Sequence, residues 1–345
     1  MRKLLLMVGL VLFTCSLAVQ AQQYTISGRI PLEGEGGWDY LFADSANGKL
    51  YVSHGTEVDV VDLASEKATG KITGMKRIHG IAVANDLNRG YISDGGDDAV
   101  VIFDLKSHAV LQKVPAGKNP DGILFDPYSK RVFVFNGRSN DVTAIDAASG
   151  KVAGTIALGG KPEFPVSDGK GNVYANIEDK SEIVRIDPQA LKVKKTWSLS
   201  PCEEPSGLAI DLEARRLFSV CSNNKMAVVN ADSGQMITTV AIGNGPDAAA
   251  YDPGSKLIFS SNGEGTLTIV KQDSPDKYTV LATVPTERSA RTMTLDTKTR
   301  KIYLSAAQLG ATPEATADNP HPRPKVVPGS FHVLVVSPSR DRNPG

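Results

Sequence analysis

One pattern recurs along most of the chain at a nearly constant spacing. An apolar run, a turn containing Asp and Ser-Gly, and a second apolar run make up VTAIDAASGKVAGTI at residues 142–156. Related segments begin at residues 58, 100, 183 and 226, and a looser one begins at Leu267. Successive starts are separated by 42, 42, 41, 43 and 41 residues. A regular period of this length is typical of a repeat protein, whose units pack mainly against their neighbours.

A second marker raises the number of copies from six to seven. It is an aromatic residue within a short run of β-forming residues, upstream of the first pattern in each unit. It recurs as Tyr51, Tyr91, Phe133, Tyr174, Phe218, Phe259 and Tyr303. In the seventh unit a Pro-rich insertion at about 308–330 delays the next strand, which resumes as VLVVSP at 333–338.

Each unit is predicted to form four short strands. In the third unit they are GILFD, RVFVF, VTAID and KVAGTIAL, which are rich in β-branched and aromatic residues and separated by turn-forming residues. Four strands in about 40–45 residues are typical of a β-propeller blade. The seventh unit lacks a fourth strand, and GRIPL at 28–32 is similar to GTIAL in the last strand of the third unit. We therefore predict an all-β, seven-bladed β-propeller whose last blade is closed by an N-terminal strand at about 24–32.

The repeat also resembles a known family. The pattern G-x-A-x-D-P-x-x-K-R-x-Y-V-x-N-G, followed by V-x-x-I-D-x-x-S-G-K-V, is similar to the YVTN repeat of the YncE-like bacterial β-propeller proteins. The resemblance extends over essentially the whole chain after residue 21. It implies the same fold and implies no particular chemistry. The Gly-His and Trp-Asp signatures of WD40 repeats do not recur from unit to unit, and Trp-Asp occurs once, as Trp38-Asp39.

The first 21 residues are interpreted as a cleaved signal peptide. Arg2 and Lys3 precede an apolar run, and Val19-Gln20-Ala21 provides a small-residue cleavage site. We expect a periplasmic or secreted, monomeric protein with a propeller at 22–339 and a polar tail at 340–345. No later apolar run approaches the ~18 residues of a membrane-spanning helix. Removing the signal leaves 36 basic and 38 acidic residues, so the overall charge gives no indication of nucleic-acid binding.

Aligning the units predicts a ring of polar residues around one end of the central channel. Each blade contributes one ring residue, five positions before the residue that ends its innermost strand. In successive blades the ring residues are Asp39, His79, Asp121, Glu163, Ser206, Asp247 and Arg291. Converging carboxylates raise one another's pKa or attract a cation, so Asp39, Asp121, Glu163 and Asp247 are also candidate metal ligands. The alternative is that Pro-Asp-Gly segments such as 120–122 are simply turns.

Other residues are expected on the same face. Trp38 adjoins the ring and could stack on a ligand, plug the channel or cover the closing strand. Further candidate ligand contacts from neighbouring loops are His54, Arg77, Arg138 and Arg288. Cys202 and Cys221 form an even pair in an oxidising compartment and are a candidate disulfide. The insertion is expected to cap the channel and to contribute His321 and Arg323.

Two functions remain open from the sequence. The first is a binding or interaction module with a net-acidic site, whose partner is a small polar or cationic ligand or another periplasmic protein. The second is a metal-dependent propeller enzyme, lactonase-like or lyase-like, in which a carboxylate-bound metal polarises a carbonyl and His79 moves a proton. No recognisable catalytic motif is present, so the first is favoured. No cofactor is predicted, although a divalent cation is a candidate ligand.

Overall fold

The computed structural model describes residues 23–34, 37–314, 316, 322 and 324–339, and within them it shows 28 strands in seven four-stranded antiparallel sheets. Blade one comprises β2 Trp38–Asp44, β3 Lys49–His54, β4 Glu57–Asp62 and β5 Lys67–Ile72. Blade two comprises β6 Ile78–Ala84, β7 Arg89–Asp94, β8 Ala99–Asp104 and β9 Val110–Pro115. Blade three comprises β10 Pro120–Asp126, β11 Arg131–Asn136, β12 Asp141–Asp146 and β13 Val152–Ala157. Blade four comprises β14 Pro162–Ser167, β15 Val173–Ile177, β16 Glu182–Asp187 and β17 Lys192–Ser198. Blade five comprises β18 Pro205–Asp211, β19 Arg216–Cys221, β20 Lys225–Asn230 and β21 Met236–Ala241. Blade six comprises β22 Pro246–Asp252, β23 Leu257–Asn262, β24 Thr266–Ser274 and β25 Lys277–Pro285. Blade seven comprises β26 Met293–Asp296, β27 Lys301–Ala306, β28 His332–Pro338 and, from the N-terminal end, β1 Tyr24–Pro31.

The seven sheets close into a ring. The first strand of each blade contacts the first strands of both neighbouring blades, so that contacts run in order from β2 to β26 and back to β2. The core lies between the sheets, where the second and third strands of each blade are almost completely buried and the fourth strand is largely exposed. The seven-bladed propeller predicted from the repeat is therefore confirmed.

The repeated aromatic residue explains why the blades stack as they do. All seven members of the set are completely buried between sheets. In two blades the hydroxyl also reaches the turn between the third and fourth strands of the next blade: Tyr91 donates to the carbonyl of Ala147 at 2.7 Å, and Tyr174 donates to the carbonyl of Ala231 at 2.9 Å. Each such ring fills the space between sheets, and its polar end remains satisfied.

The N-terminal strand completes the last blade, as predicted. β1 pairs antiparallel with β28, from Tyr24 opposite Pro338 to Pro31 opposite His332, with a bulge between Ile26 and Gly28. Along β1, Tyr24 and Ile30 are buried while the intervening residues are more exposed. The closing strand therefore contributes core side chains as well as backbone hydrogen bonds, and it covers the edge of β28.

The insertion separates β27 from β28. Its two arms form a short antiparallel ladder, in which Leu309 is bridged to Val326 and the amide of Gly310 donates to the carbonyl of Lys325 at 2.8 Å. The predicted signal peptide, the predicted tail and the proposed cap residues His321 and Arg323 lie outside the described residues. Among the residues described, no helix is long and apolar enough to cross a membrane.

Candidate functional site

The predicted ring residues lie at a recurrent irregularity of the innermost strands. In the first six blades the ring residue is the second residue of that strand, and the pairing register shifts there, as between Pro120 and Ile123. Such β-bulges bend a strand and redirect its side chains. In blades one and two, a serine of the second strand accepts a hydrogen bond from a bulge amide: Asp39 N to Ser53 Oγ at 2.9 Å, and Gly80 N to Ser93 Oγ at 2.7 Å. The bulges thus turn the ring side chains towards the axis.

The residue that follows the ring residue decides how closely neighbouring bulges approach. Gly80 and Gly122 occupy this position in blades two and three, where an added Cβ would lie 2.8 Å from Ile123 and 2.9 Å from Pro165. In blades one and four the position is instead Tyr40 and Phe164, whose rings meet edge to face at 5.3 Å. Tyr40 also lines an apolar cavity of about 440 Å³ further along the channel. The aromatic pair therefore forms a floor between a polar entrance and an apolar interior.

Above this floor is a polar cavity of about 530 Å³, which we call the mouth pocket. All seven ring residues lie in its wall. The described residues that line it are Asp39, Tyr40, Arg77, His79, Asn119, Asp121, Gly137, Arg138, Lys161, Glu163, Glu178, Ser206, Asp247 and Arg291. The structure thus brings together the ring, Arg77 and Arg138 around a common axial opening.

Asp39, His79 and Asp121 form the tightest group in the mouth pocket. His79 Nδ1 lies 2.6 Å from Asp39 Oδ2 and 3.8 Å from Asp121 Oδ1. Their potential ligand atoms all lie within 4.8 Å of one another. Burial alone lowers the pKa of His79, but the hydrogen bond to Asp39 and the charge of Asp121 leave it raised. The imidazole is thus held near two carboxylates, while its Nε2 is buried without a hydrogen-bond partner.

Two other carboxylates have cationic partners. Asp247 lies 2.6 Å from Arg291 Nη1, and Glu163 lies 2.7 Å from Lys161 Nζ, which also contacts Glu178. Burial nevertheless raises the pKa of Asp247 to about 7 against the effect of Arg291. Burial, reinforced by the charge of Asp121, raises the pKa of Glu163 to about 8. These groups are therefore costly to ionise in the empty pocket.

The mouth pocket is less acidic than the ring alone implies. Five carboxyl groups face it, together with four cationic side chains: Arg77, Arg138, Lys161 and Arg291. Five carboxyl groups against four cations leave one formal negative charge, His79 apart, so the net-acidic mouth stays a prediction with a smaller excess than the ring alone implies. Two of these cations already have partners: Arg77 donates to Asn119, and Lys161 joins Glu163 to Glu178.

Four carboxyl groups act together on the hydroxyl at the floor of the mouth pocket. Tyr40 is 8% exposed. Its pKa is raised well above the usual value by burial and then by Asp121, Glu163, Asp39 and Asp247. Arg291 also lies within electrostatic reach of Tyr40, so one guanidinium partly balances these carboxyl groups.

Trp38 and Arg288 lie beside the mouth pocket. They line a second cavity of about 480 Å³, which we call the annex. Its principal wall residues are Trp38, Arg288, Arg291, Leu309, Pro324 and Val326. Trp38 is partly buried and stacks on Phe331, with ring centroids 5.5 Å apart. Arg291 lines both cavities, so the annex adjoins the mouth pocket at that residue.

The prediction that His54 contacts a ligand at the mouth is wrong. Its side chain is 1% exposed, its Nδ1 lies 3.1 Å from Asp59 Oδ2, and its ring packs on Phe331 at 4.2 Å. His54 is the last residue of the second strand of its blade, and the equivalent residues of the other six blades are all buried as well. The side chain points between the sheets, away from the axis.

Cys202 and Cys221 are joined by a disulfide with a Cα–Cα distance of 5.7 Å. Both residues are completely buried, and the bond ties the loop entering blade five to the end of β19. Neither cysteine lines the mouth pocket. The disulfide therefore supports the loop around the site without entering it.

Several pocket residues were not anticipated from the sequence. Tyr40 directly follows a ring residue, at a position that is mainly Gly or Ala in the other blades. An aromatic residue at this position was the sequence signal that could have identified it as a pocket residue. Lys161 precedes the ring residue of blade four by two positions, as Arg77 precedes that of blade two, so an alignment of the loops could have found it. Asn119 occupies the same position in blade three, whereas Glu178 offered no comparable signal.

Comparison with known proteins supports the fold. Residues 40–206 match the model of a family described as a domain of unknown function, DUF5074. No curated protein matches the chain in sequence.

Three solved structures illustrate the structural similarity. Kuenenia stuttgartiensis hydrazine synthase is 18% identical with a TM-score of 0.68, covering 79% of this chain and 94% of that one. A chain of the mitotic checkpoint complex is 14% identical with a TM-score of 0.74, covering 99% of each chain. The RRP9 WD40 repeats are 9% identical with a TM-score of 0.76, covering 91% of this chain and 99% of that one. At these identities the similarity concerns the fold alone.

Proposed function

We propose that this chain is an exported, YncE-like binding module that holds the cationic group of a small polar ligand in the mouth pocket. The observation that carries the proposal is the convergence of four carboxylates on Tyr40 at the floor of the pocket. The seven-bladed ring provides a rigid frame for a ligand of this kind, and export follows from the interpretation of the first 21 residues.

The energetics of the carboxylates favour a cation. The side chains of Asp39, Asp121, Glu163 and Asp247 are between 12% and 20% exposed, so little water compensates their charges. Asp121 has no cationic side chain nearer than His79 at 3.8 Å, and burial followed by the charge of Asp39 raises its pKa to about 6. An ammonium group placed above Tyr40 would supply the missing positive charge and several N–H donors. A cavity of about 530 Å³ is within the range of small-molecule sites.

Isothermal titration calorimetry with small organic cations tests the proposal. The probes are ethanolamine, putrescine, choline and guanidinium, titrated into wild-type protein, Asp121→Asn and Glu203→Gln. Glu203 is an exposed carboxylate in the loop entering blade five and does not line the pocket, so it provides a matched loss of charge. We expect saturable binding that Asp121→Asn weakens and Glu203→Gln leaves unchanged. Absence of binding by every probe, or equal binding by all three proteins, would contradict the proposal.

A metal-dependent enzyme is the second candidate, and the grouping of Asp39, His79 and Asp121 within 4.8 Å favours it. Two carboxylates and an imidazole could ligate a divalent ion, with water completing the coordination. Elemental analysis of protein purified without chelators distinguishes the two functions. Stoichiometric metal that is lost in Asp39→Asn, but retained in Glu203→Gln, would favour the enzyme. Binding of organic cations to metal-free protein would favour the binding module.

A further inference from the structure

The annex has a cationic side chain that is not neutralised within the described structure. Arg291 is paired with Asp247 at 2.6 Å. Arg288, by contrast, is exposed and forms no ion pair or side-chain hydrogen bond among the described residues. The annex thus presents one free guanidinium, three residues before the guanidinium that borders the mouth pocket.

The backbone that carries these two arginines is held in an unusual conformation. Ser289 has a φ of 85°, which is uncommon for a residue other than glycine. Its amide donates to the carbonyl of Gly263 at 3.0 Å, and its hydroxyl donates to the carbonyl of Ala307 at 3.1 Å. Gly265 lies so close that an added Cβ would be 2.9 Å from the amide nitrogen of Arg288. Backbone held in this way is often found at ligand sites, where it fixes the direction of functional side chains.

The remaining walls of the annex are flat and apolar. Trp38 is supported from behind by its stacking on Phe331. Leu309 and Val326, bridged to each other across the base of the insertion, form the opposite boundary with Pro324. An aromatic ring and aliphatic side chains around a volume of about 480 Å³ suit a planar, apolar group.

We propose that the annex binds a planar anionic group, which stacks on Trp38 and pairs with Arg288. A guanidinium offers a fork of N–H donors that matches a carboxylate, and it is more easily desolvated than an ammonium. The wall residues therefore specify an aryl carboxylate or a chemically similar anion. The inference adds a second subsite of opposite charge to the cation-binding mouth pocket.

The two subsites together define a class of ligand, and this further step rests on the proposed function of the mouth pocket. Arg291 lines both cavities, so the two subsites are neighbours, and the single-ligand step requires one molecule to extend past this side chain. The cationic end of that molecule would lie among the carboxylates above Tyr40, and its aromatic anionic end would lie against Trp38 and Arg288. The expected ligand is an aromatic zwitterion, and simple cations or anions represent its two halves.

Tryptophan fluorescence isolates the annex from the mouth pocket. The chain contains two tryptophans, and Trp197 lies on the outer strand β17 against Tyr174. In a Trp197→Phe background, emission comes from Trp38 alone. The probes are phenylacetate as the anion, phenethylamine as the cation, and 4-(2-aminoethyl)phenylacetate as the zwitterion with its charges at opposite ends, each titrated into the Trp197→Phe protein with and without Arg288→Gln. Arg300→Gln is the matched control, because Arg300 lies in the β26–β27 turn and lines neither cavity.

We expect phenylacetate to change Trp38 emission saturably, and Arg288→Gln to weaken this binding by about tenfold or more, as expected for a charged hydrogen-bonded pair. Arg300→Gln should have no effect. Unchanged phenylacetate binding in Arg288→Gln, or no saturable change with phenylacetate, would overturn the annex proposal. If phenylacetate binds through Arg288 but phenethylamine does not bind by calorimetry, the annex stands and the cation-binding function fails. Binding of 4-(2-aminoethyl)phenylacetate no tighter than that of its two halves would overturn the single-ligand step.

Discussion

Replacing Asp121 by Asn should stabilise the protein at alkaline pH while it weakens cation binding. The carboxylate lies in the mouth pocket with 16% of its side chain exposed, and burial followed by the charge of Asp39 raises its pKa from 3.8 to about 6. The native protein therefore holds this proton more tightly than the unfolded chain does. Stability from this group is fully present below about pH 4 and is lost as the pH rises through about 6.

The expected magnitude follows from the same values. A pKa raised from 3.8 to about 6 corresponds to about 3 kcal/mol. Asparagine cannot ionise and is close in shape to the protonated acid. We therefore expect Asp121→Asn to increase the free energy of unfolding by up to about 3 kcal/mol at pH 8, and by less than about 1 kcal/mol at pH 4.

Urea unfolding of wild type and variant at pH 4, 6 and 8 measures this difference. Asp104→Asn is a control of opposite sign. The pKa of Asp104 is lowered by hydrogen bonds from its own turn, chiefly those of the Ser107 amide and hydroxyl. Replacing Asp104 should therefore destabilise the protein at pH 8 and have less effect as the pH falls below the ordinary Asp range. Equal destabilisation by Asp121→Asn at all three pH values would refute the argument that the pocket penalises this charge.

Two further predictions concern the ring itself. Ile30→Ala in the closing strand should lower the free energy of unfolding in urea by about 2–5 kcal/mol, because Ile30 is 2% exposed. Thr25→Ala, on the exposed side of β1, should change the free energy of unfolding by less than about 0.5 kcal/mol. Similar effects of the two substitutions would contradict the closure of the last blade by β1. Replacing Cys202 and Cys221 together by Ala should lower the free energy of unfolding by about 3 kcal/mol, because the disulfide closes a segment with a sequence separation of 19. A variant as stable as oxidised wild type would contradict the contribution of the disulfide to stability.

Much of the fold was encoded in periodic features that do not depend on side-chain detail. The seven aromatic positions and the four-strand units specify how many sheets form and how they stack. The unpaired seventh unit and the matching N-terminal segment specify β1 as the closing strand. Features of this kind recur in every blade, so several copies support each inference.

The site was only partly predictable, because it depends on where the repeats differ. The ring was found because its residues occupy one repeated position, which in six of the seven blades lies at a β-bulge. His54 was assigned to the mouth in error because the end of the second strand faces the core in every blade. The apolar residues Ile177 and Cys221 at equivalent positions indicated that this position is buried. The annex depends on the base of the insertion, which belongs to a single blade and has no repeated counterpart from which to predict it.

The most direct test of cation binding is the number of protons released when a cation enters the mouth pocket. Burial raises the pKa of Asp121 to about 6, of Asp247 to about 7 and of Glu163 to about 8, so these groups are partly protonated near neutral pH. A cation lowers such pKa values and so releases protons. Calorimetry in buffers of different ionisation enthalpy measures this release for choline or guanidinium, whichever binds more tightly. We predict proton release at pH 7 that disappears by about pH 10, where the carboxyls are already ionised. Binding without proton release at pH 7, or no binding of either cation, would contradict the assignment of the pocket.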